Sequence, residues 1–201
     1  MYLPAMIILT VIRKFDKVSQ KPLILCRTKI LNLIKTPLAR KILLLSDTHG
    51  FIDEKVLNYC REVDEVWHAG DIGDAEVTRK IQEVSFLRAV YGNIDDQTIR
   101  SEFPLDNKFS VEGVSVWMTH IGGYPYRYNP RVREQLEKKA PKLFICGHSH
   151  ILKVQYDKKL GLLHMNPGAI GNYGFHKVKT MLRFTLDNSE IKDLEVIEIK
   201  R

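Results

Sequence analysis

Five short, β-prone apolar runs each end in a small cluster of polar residues, and this recurrence constrains the fold more than any other property of the chain. The first run, Lys41-Ile42-Leu43-Leu44-Leu45-Ser46, goes straight into Asp47-Thr48-His49-Gly50. The others end at His68-Ala69-Gly70-Asp71, Gly92-Asn93, Thr119-His120 and Gly147-His148-Ser149-His150. A continuous apolar run is what a strand covered on both faces requires. Between the runs, residues 53–63 show helical spacing, with Ile52, Val56, Leu57 and Cys60 on one side. Residues 74–84 repeat the pattern, with Asp74 placed to cap a helix. Strands at residues 65–68 and 86–91 complete a strand, loop, helix repetition, which predicts a parallel layered α/β sheet.

The texture then changes. Residues 108–111 and 114–119 flank Glu112-Gly113, a hairpin signal. A loop rich in Gly, Pro and Tyr over 122–130 precedes a charged helix over 131–139 and a buried strand over 143–146. The last fifty residues read as antiparallel, with strands at 153–156, 162–165, 180–186 and 190–198 and a turn at Asp187-Asn188. In open α/β sheets ligands bind beyond the carboxyl ends of the strands, and all five polar clusters lie there.

Those ends offer Asp47, His49, Asp71, Asn93, His120, His148 and His150: two carboxylates, four imidazoles and one amide, with no thiolate. Seven such groups exceed the needs of one metal and suit two that share a carboxylate. Imidazole with carboxylate favours Mn, Fe, Zn, Ni or Co over Ca or Mg alone. In an extended segment residues i and i+2 point the same way, so Asp-x-His and His-x-His can each bring two ligands to one metal. Any one of these pairs alone carries almost no information; five in order do. His68, His164 and His176 are read as ordinary core or surface histidines.

Charge argues against one class of partner. Of 31 Lys/Arg and 24 Asp/Glu, residues 1–40 hold eight basic groups and the single acid Asp16, leaving 23 of each sign in 41–201. The basicity belongs to the leader, so the domain lacks the overall basic balance of a nucleic-acid binder. Residues 2–12 are apolar but shorter than the about 20 residues a membrane-spanning helix needs. They also lack signal-peptide flanks. The leader is either an unstructured or over-extended start or a genuine anchor or partner-binding arm; the domain is placed at 41–201. Three widely spaced cysteines provide neither a disulfide framework nor a CxxC zinc site. They fit a reducing, cytoplasmic setting.

Asp47-Thr48-His49, Gly70-Asp71, Gly92-Asn93, His120 and Gly147-His148-Ser149-His150 together resemble the ordered motif set of calcineurin-like metallophosphoesterases. Asn166-Pro167-Gly168-Ala169 and the small size resemble the YfcE-like phosphodiesterase branch. The resemblance covers about residues 41–200. It implies an α/β fold in which a two-layer β-sandwich is flanked by helices, and a dinuclear centre. By matched position, Asp47, His49, Asp71 and His150 would hold the first divalent transition metal. Asp71, Asn93, His120 and His148 would hold the second, with Asp71 bridging and manganese the leading choice over Ni, Zn, Fe or Co. It further implies a small phosphodiester as substrate, and small relatives of this kind often self-associate.

One departure stands out. Many relatives have a histidine after the Gly-Asn pair, where it can protonate the leaving oxygen; here that residue is Ile94. Asp95 either substitutes as the acid or, as preferred here, braces a ligand. Asn93 can also orient a phosphate oxygen. Residues 122–133 follow His120, with Tyr124, Tyr126 and Tyr128 as stacking surfaces and Arg127 as a phosphate partner, or they form a loop closed by its own tyrosines. The rivals to a phosphodiesterase are a catalytically weak or inactive scaffold of the same fold that binds protein partners, and a nuclease.

Overall fold

A computed structural model describes residues 39–175 and 177–201. Residues 1–38 of the leader, Cys26 among them, and His176 lie outside the described residues. The chain forms twelve strands and four helices here. β1 (Arg40–Leu45), α1 (Glu54–Arg61), β2 (Glu65–His68), α2 (Ala75–Gln82), β3 (Phe86–Ala89) and α3 (Gln97–Glu102) make the first half. β4 (Asp106–Val111), β5 (Val114–Thr119), β6 (Gly123–Tyr124), β7 (Arg127–Tyr128), α4 (Pro130–Lys138) and β8 (Leu143–Ile145) follow. β9 (Leu152–Asp157), β10 (Leu162–Pro167), β11 (Val178–Asp187) and β12 (Glu190–Lys200) complete the chain.

Two five-stranded sheets result, one ordered β12-β11-β1-β2-β3 and the other β4-β5-β8-β10-β9. In the first, β1, β2 and β3 are parallel, and β11 and β12 add antiparallel strands. In the second, β5, β8 and β10 are parallel between antiparallel edges β4 and β9. The alternation of side chains along β1 shows how the layers form. Ile42 and Leu44 join Val116, Met118, Ile145, Met165 and Phe184 in the core between the sheets. Leu43 and Leu45 join Val56, Leu57, Cys60, Val77 and Ile81 under the helices of the first sheet. Trp117, Phe144 and Leu162 meet Val132 and Leu136 of α4 on the far side of the second. The fold is therefore a two-sheet sandwich flanked by helices, and the apolar run at residues 41–45 is continuous because β1 is buried on both faces.

The helices start where the sequence predicts. Asp53 accepts from the N–H of Val56 at 2.9 Å and Asp74 from that of Glu76 at 2.8 Å. Such caps contribute about 1 kcal/mol each. Three features differ from the sequence reading. β10 pairs in parallel with β8, so the last fifty residues are not wholly antiparallel; apolar runs carry no strand direction. Helix α3, capped by Asp96, was not expected, because six residues are too few to show periodicity. The predicted loop at 122–130 holds the short β6–β7 ribbon. Among the described residues no helix is long and apolar enough to cross a membrane.

Candidate metal centre

Four parallel strands, two from each sheet, deliver the site. The exits of β1 and β2 interlock: the N–H of Asp47 donates to Gly70 O at 3.0 Å, that of His49 to Asp71 O at 3.0 Å and that of Gly50 to Ile72 O at 2.7 Å. The exits of β5 and β8 interlock likewise, Gly147 N–H donating to His120 O at 3.0 Å. The two sheets are joined by His148 N–H, which donates to Asp47 Oδ2 at 3.1 Å. Two side-chain triads emerge. Asp47, His49 and His150 form one, and Asp71, His120 and His148 the other, each with ligand atoms within 4.8 Å of one another.

Asp71 stands between them. Its Oδ1 is 3.1 Å from His120 Nε2, and its Oδ2 is 3.9 Å from His49 Nε2. In the first triad, Asp47 Oδ1 lies 3.1 Å from His150 Nε2 and 4.0 Å from His49 Nε2, and the two imidazole nitrogens are 3.2 Å apart. This is a donor set waiting for cations. The Nδ1 of His120 donates to Ala69 O at 2.8 Å, which leaves Nε2 of the neutral ring as a lone pair facing a carboxylate oxygen. Nε2 of His120 and Oδ1 of Asp47 are both buried with no hydrogen-bond partner. Two acceptors facing each other are unfavourable unless a proton or a metal ion lies between them. Accordingly, despite burial, which acts the other way, the Asp71 carboxylate 3.1 Å away raises the His120 pKa by favouring a proton between the two. The partner effect lowers that of Asp71, His120 and the Ile94 N–H outweighing desolvation. Imidazole and carboxylate without thiolate fit divalent Mn, Fe, Co, Ni or Zn.

The backbone is bent sharply to present these groups. Asp47, His49, Asp71, His148 and His150 all have φ between 48° and 69°, in the left-handed region. Such conformations cost about 1 kcal/mol or more each and are maintained by the structure around them. The segments are thus turns rather than extended strands, and the i, i+2 argument fails for one pair. His148 and His150 go to different triads. Gly92 and Gly147 allow the packing: a Cβ on Gly92 would stand 2.0 Å from Asp71 Oδ1, and one on Gly147 2.1 Å from Ser46 Oγ.

The surrounding polar residues hold the turns. Both oxygens of buried Asp95 accept backbone N–H groups, from Gly73 at 2.7 Å and Gly92 at 2.6 Å, which ties the β2 and β3 exits together. That geometry suits a brace better than an acid. Buried His68 bonds Thr48 Oγ1 at 2.9 Å through Nε2 and accepts from Gly70 N–H at 3.2 Å through Nδ1. It is a neutral buttress, its pKa pushed down to about 4 first of all by burial. Asn166 donates to Gly147 O at 2.8 Å and steadies the His148–His150 turn. The sequence predicts Asp95 as a brace but not His68, and it offers Asn166 only as part of the Asn166-Pro167-Gly168-Ala169 segment.

Asn93 and Ile94 are exposed at the β3 exit, and Ile94 N–H donates to Asp71 Oδ1 at 3.2 Å. Arg127 is exposed on β7. Tyr128 is buried and donates to Asp157 Oδ2 at 2.9 Å, so it is not a stacking surface. With Tyr126 it lines a separate hollow of about 170 Å³, bounded by Arg133, Glu137, Asp157, Lys159 and Leu160. His164 lies on β10 against Tyr128 and Phe144, in neither triad.

Comparison with known proteins gives three findings. Residues 41–189 match the sequence model of the calcineurin-like phosphoesterase superfamily domain. A probable metallophosphoesterase of Mycoplasma pneumoniae is 29% identical over 161 residues, covering 77% of this chain and 94% of that one. Among solved structures, an archaeal phosphodiesterase has a TM-score of 0.59 at 20% identity, over 79% of this chain and 99% of that one. Vps29 from Entamoeba histolytica, solved with Zn²⁺, has a TM-score of 0.57 at 15% identity, over 79% and 98%. At those identities the structural likeness speaks for the fold alone.

Proposed function

The chain belongs to the calcineurin-like phosphoesterase superfamily, and from that premise we propose that it is a dinuclear-metal phosphodiesterase acting on small phosphodiesters. The observation that carries this reading is the placement of Asp71, one oxygen toward each triad. Asp47, His49 and His150 would hold one metal, His120 and His148 the other, with Asp71 shared and Asn93 beside the second. A bound pair of divalent ions, manganese first among the candidates, would supply Lewis-acid charge at a phosphoryl oxygen and acidify a water nucleophile.

The chain's own residues do the rest. The two triads fix where the phosphoryl group sits, since backbone turns hold them, with Asp47, Asp71 and His120 buried, His49 and His150 half-buried and His148 open to solvent. Asn93, exposed at the rim, offers an amide donor to a phosphoryl oxygen, and Arg127 a guanidinium to the phosphate from β7. The oxygen of water bonds to phosphorus and its proton passes to solvent, while one P–O ester bond breaks and the released alkoxide or phenolate oxygen carries the electron pair away. Ile94 cannot protonate that oxygen, and Asp95 has both oxygens engaged by amides. Esters whose alcohol leaves as a stable anion, such as phenolates, are therefore the preferred substrates. The Asn166-Pro167-Gly168-Ala169 segment and small size favour the YfcE-like branch over the nuclease branch.

The test is hydrolysis of bis-p-nitrophenyl phosphate by metal-stripped protein titrated with Mn²⁺, Ni²⁺ and Zn²⁺, with p-nitrophenyl phosphate in parallel. Metal-dependent turnover of the diester above the monoester is expected. Monoester preference would make the protein a phosphatase instead. Two metals bound per chain without turnover would favour a partner-binding scaffold, the reading to which the Ile94 substitution lends weight.

A further inference from the structure

The segment after β10 comes back over the first triad and brings an aromatic ring with it. It is strapped to the β1 exit, Ile170 N–H donating to Ser46 O at 3.1 Å and Gly171 N–H to Asp47 O at 3.0 Å. A Cβ on Gly171 would stand 2.4 Å from Thr48 O and 2.6 Å from Asp47 O, so this approach requires glycine. Two residues later the Tyr173 ring lies 5.0 Å from that of His49, tilted by 42°. The carbonyls on either side of Tyr173 are held as well: Arg201, just beyond β12, donates to Gly174 O at 2.8 Å and to Asn172 O. Yet Tyr173 is 70% exposed. The chain thus fixes the backbone around this residue, sets one part of its ring on a metal-site imidazole, and leaves the rest open at the rim of the centre. Among the described residues none covers that open face. Other exposed tyrosines are placed differently, Tyr124 under the Lys153 ammonium and Tyr126 at the hollow beside α4.

We infer that Tyr173 is a specificity-determining residue whose ring forms one wall of the substrate site, selecting phosphodiesters that carry a planar aromatic group, an aryl or a nucleobase. The inference rests on the phosphodiesterase reading above. A phosphoryl group addressed by His49 has its ester substituent beside a ring whose centre is 5.0 Å from that imidazole, within the range over which aromatic faces attract. An alkyl substituent gains no such contact.

The test separates binding from turnover. Metal-loaded wild type, Tyr173→Phe and Tyr173→Ala are titrated calorimetrically with phenylphosphonate and methylphosphonate, which differ in the ring. Wild type and Tyr173→Phe should prefer phenylphosphonate by roughly three- to tenfold, the range expected of one aromatic contact. Tyr173→Ala should bind both alike, with metal stoichiometry intact. No preference in wild type, a preference that survives in Tyr173→Ala, or an equal loss for both ligands would each overturn the proposal. The last would make Tyr173 a mere support for His49. Kinetics with methyl p-nitrophenyl phosphate and with the p-nitrophenyl ester of thymidine 5′-phosphate then identify the group recognised. In Tyr173→Ala the loss should fall on KM. A rise with both esters assigns the aryl group, and a rise with the nucleotide ester alone assigns the base; a rise with neither refutes the wall. If wild type cleaves no diester, the phosphodiesterase reading fails while the phosphonate titration still decides the role of Tyr173.

Discussion

Replacing Gly92 by alanine probes whether the loop packing, and not just the ligand list, makes the centre. An added Cβ would lie 2.0 Å from Asp71 Oδ1, 2.3 Å from Asp71 N and 2.9 Å from Asp71 Cα. Two of those atoms are backbone, so a side-chain rotation cannot relieve the overlap. Real Cβ atoms essentially never approach closer than 3.0 Å, so the β2 and β3 exits must separate by about 1 Å. A misplacement of that size costs about 10²-fold in rate where geometry controls chemistry. Overpacking costs about 1–3 kcal/mol, which a domain with about 5–15 kcal/mol of stability can absorb. The assay is kcat on bis-p-nitrophenyl phosphate at saturating metal, with bound metal counted per chain and thermal unfolding recorded. Gly161→Ala in the β9–β10 turn is the control. It forces a side chain onto φ +67° with the hydroxyl of Tyr156, 3.9 Å away, as its nearest neighbour, so it should lose stability and keep its rate. A folded Gly92→Ala protein with two metals and near wild-type kcat would refute the argument.

Three further outcomes are expected. Asp71→Asn keeps an oxygen for the Ile94 N–H and should fold normally, while turnover falls by more than about 10²-fold, the loss that even indirect partners of metal ligands can produce; unchanged turnover would remove Asp71 from the bridging position. Ile94→His should raise the rate for alkyl diesters by about 10²-fold or more and leave aryl diesters nearly unchanged; an equal gain for both would show that no acid is missing. Buried His164, with its pKa pushed from 6.5 down to about 4 first of all by desolvation, is neutral in the fold and binds protons more readily when unfolded. Its stabilising contribution is complete above pH 6.5 and is lost as pH falls toward 4, amounting to about 3 kcal/mol at the acid limit. Urea unfolding of metal-free protein at pH 7.5 and pH 5 should show that loss, reduced in His164→Phe; an identical acid limb in the variant would show that His164 does not carry it.

The fold was legible where local physics and tertiary structure agree. β1 and β8 read as strands buried on both faces because they are, and Asp74 announced its helix because its side chain does cap it, as that of Asp53 caps α1. The parallel pairing of β8 with β10 was not legible, since direction depends on which strand lies next to which and leaves no mark on a six-residue run. Helix α3 was missed for a different reason. By sequence Asp96 reads only as a stand-in acid, whereas its side chain caps α3; Asp95, preferred as a brace, does brace two turns.

The site divides in the same way, and the division has a cause. Ligand identity is written in residue types, so Asp47, His49, Asp71, His120, His148 and His150 could be named from the sequence and do converge. How they converge is written in backbone shape. Five of these six residues adopt left-handed φ, a conformation that Asp and His enter more readily than most residues but still at some cost, and one that the sequence of a strand exit does not announce. What sustains the strain is the interlocking of turns: Asp47 with Gly70, His49 with Asp71, Gly147 with His120, and Asp95 across Gly73 and Gly92. These bonds fix the distances between donors before any ion arrives, and they leave Asp47 Oδ1 and His120 Nε2 buried and without hydrogen bonds. A protein selected for stability alone would relax those turns or fill those acceptors. Strain and unsatisfied acceptors held together at one point are what a bound cation would offset, so the backbone joins the motif in arguing for a metal centre here.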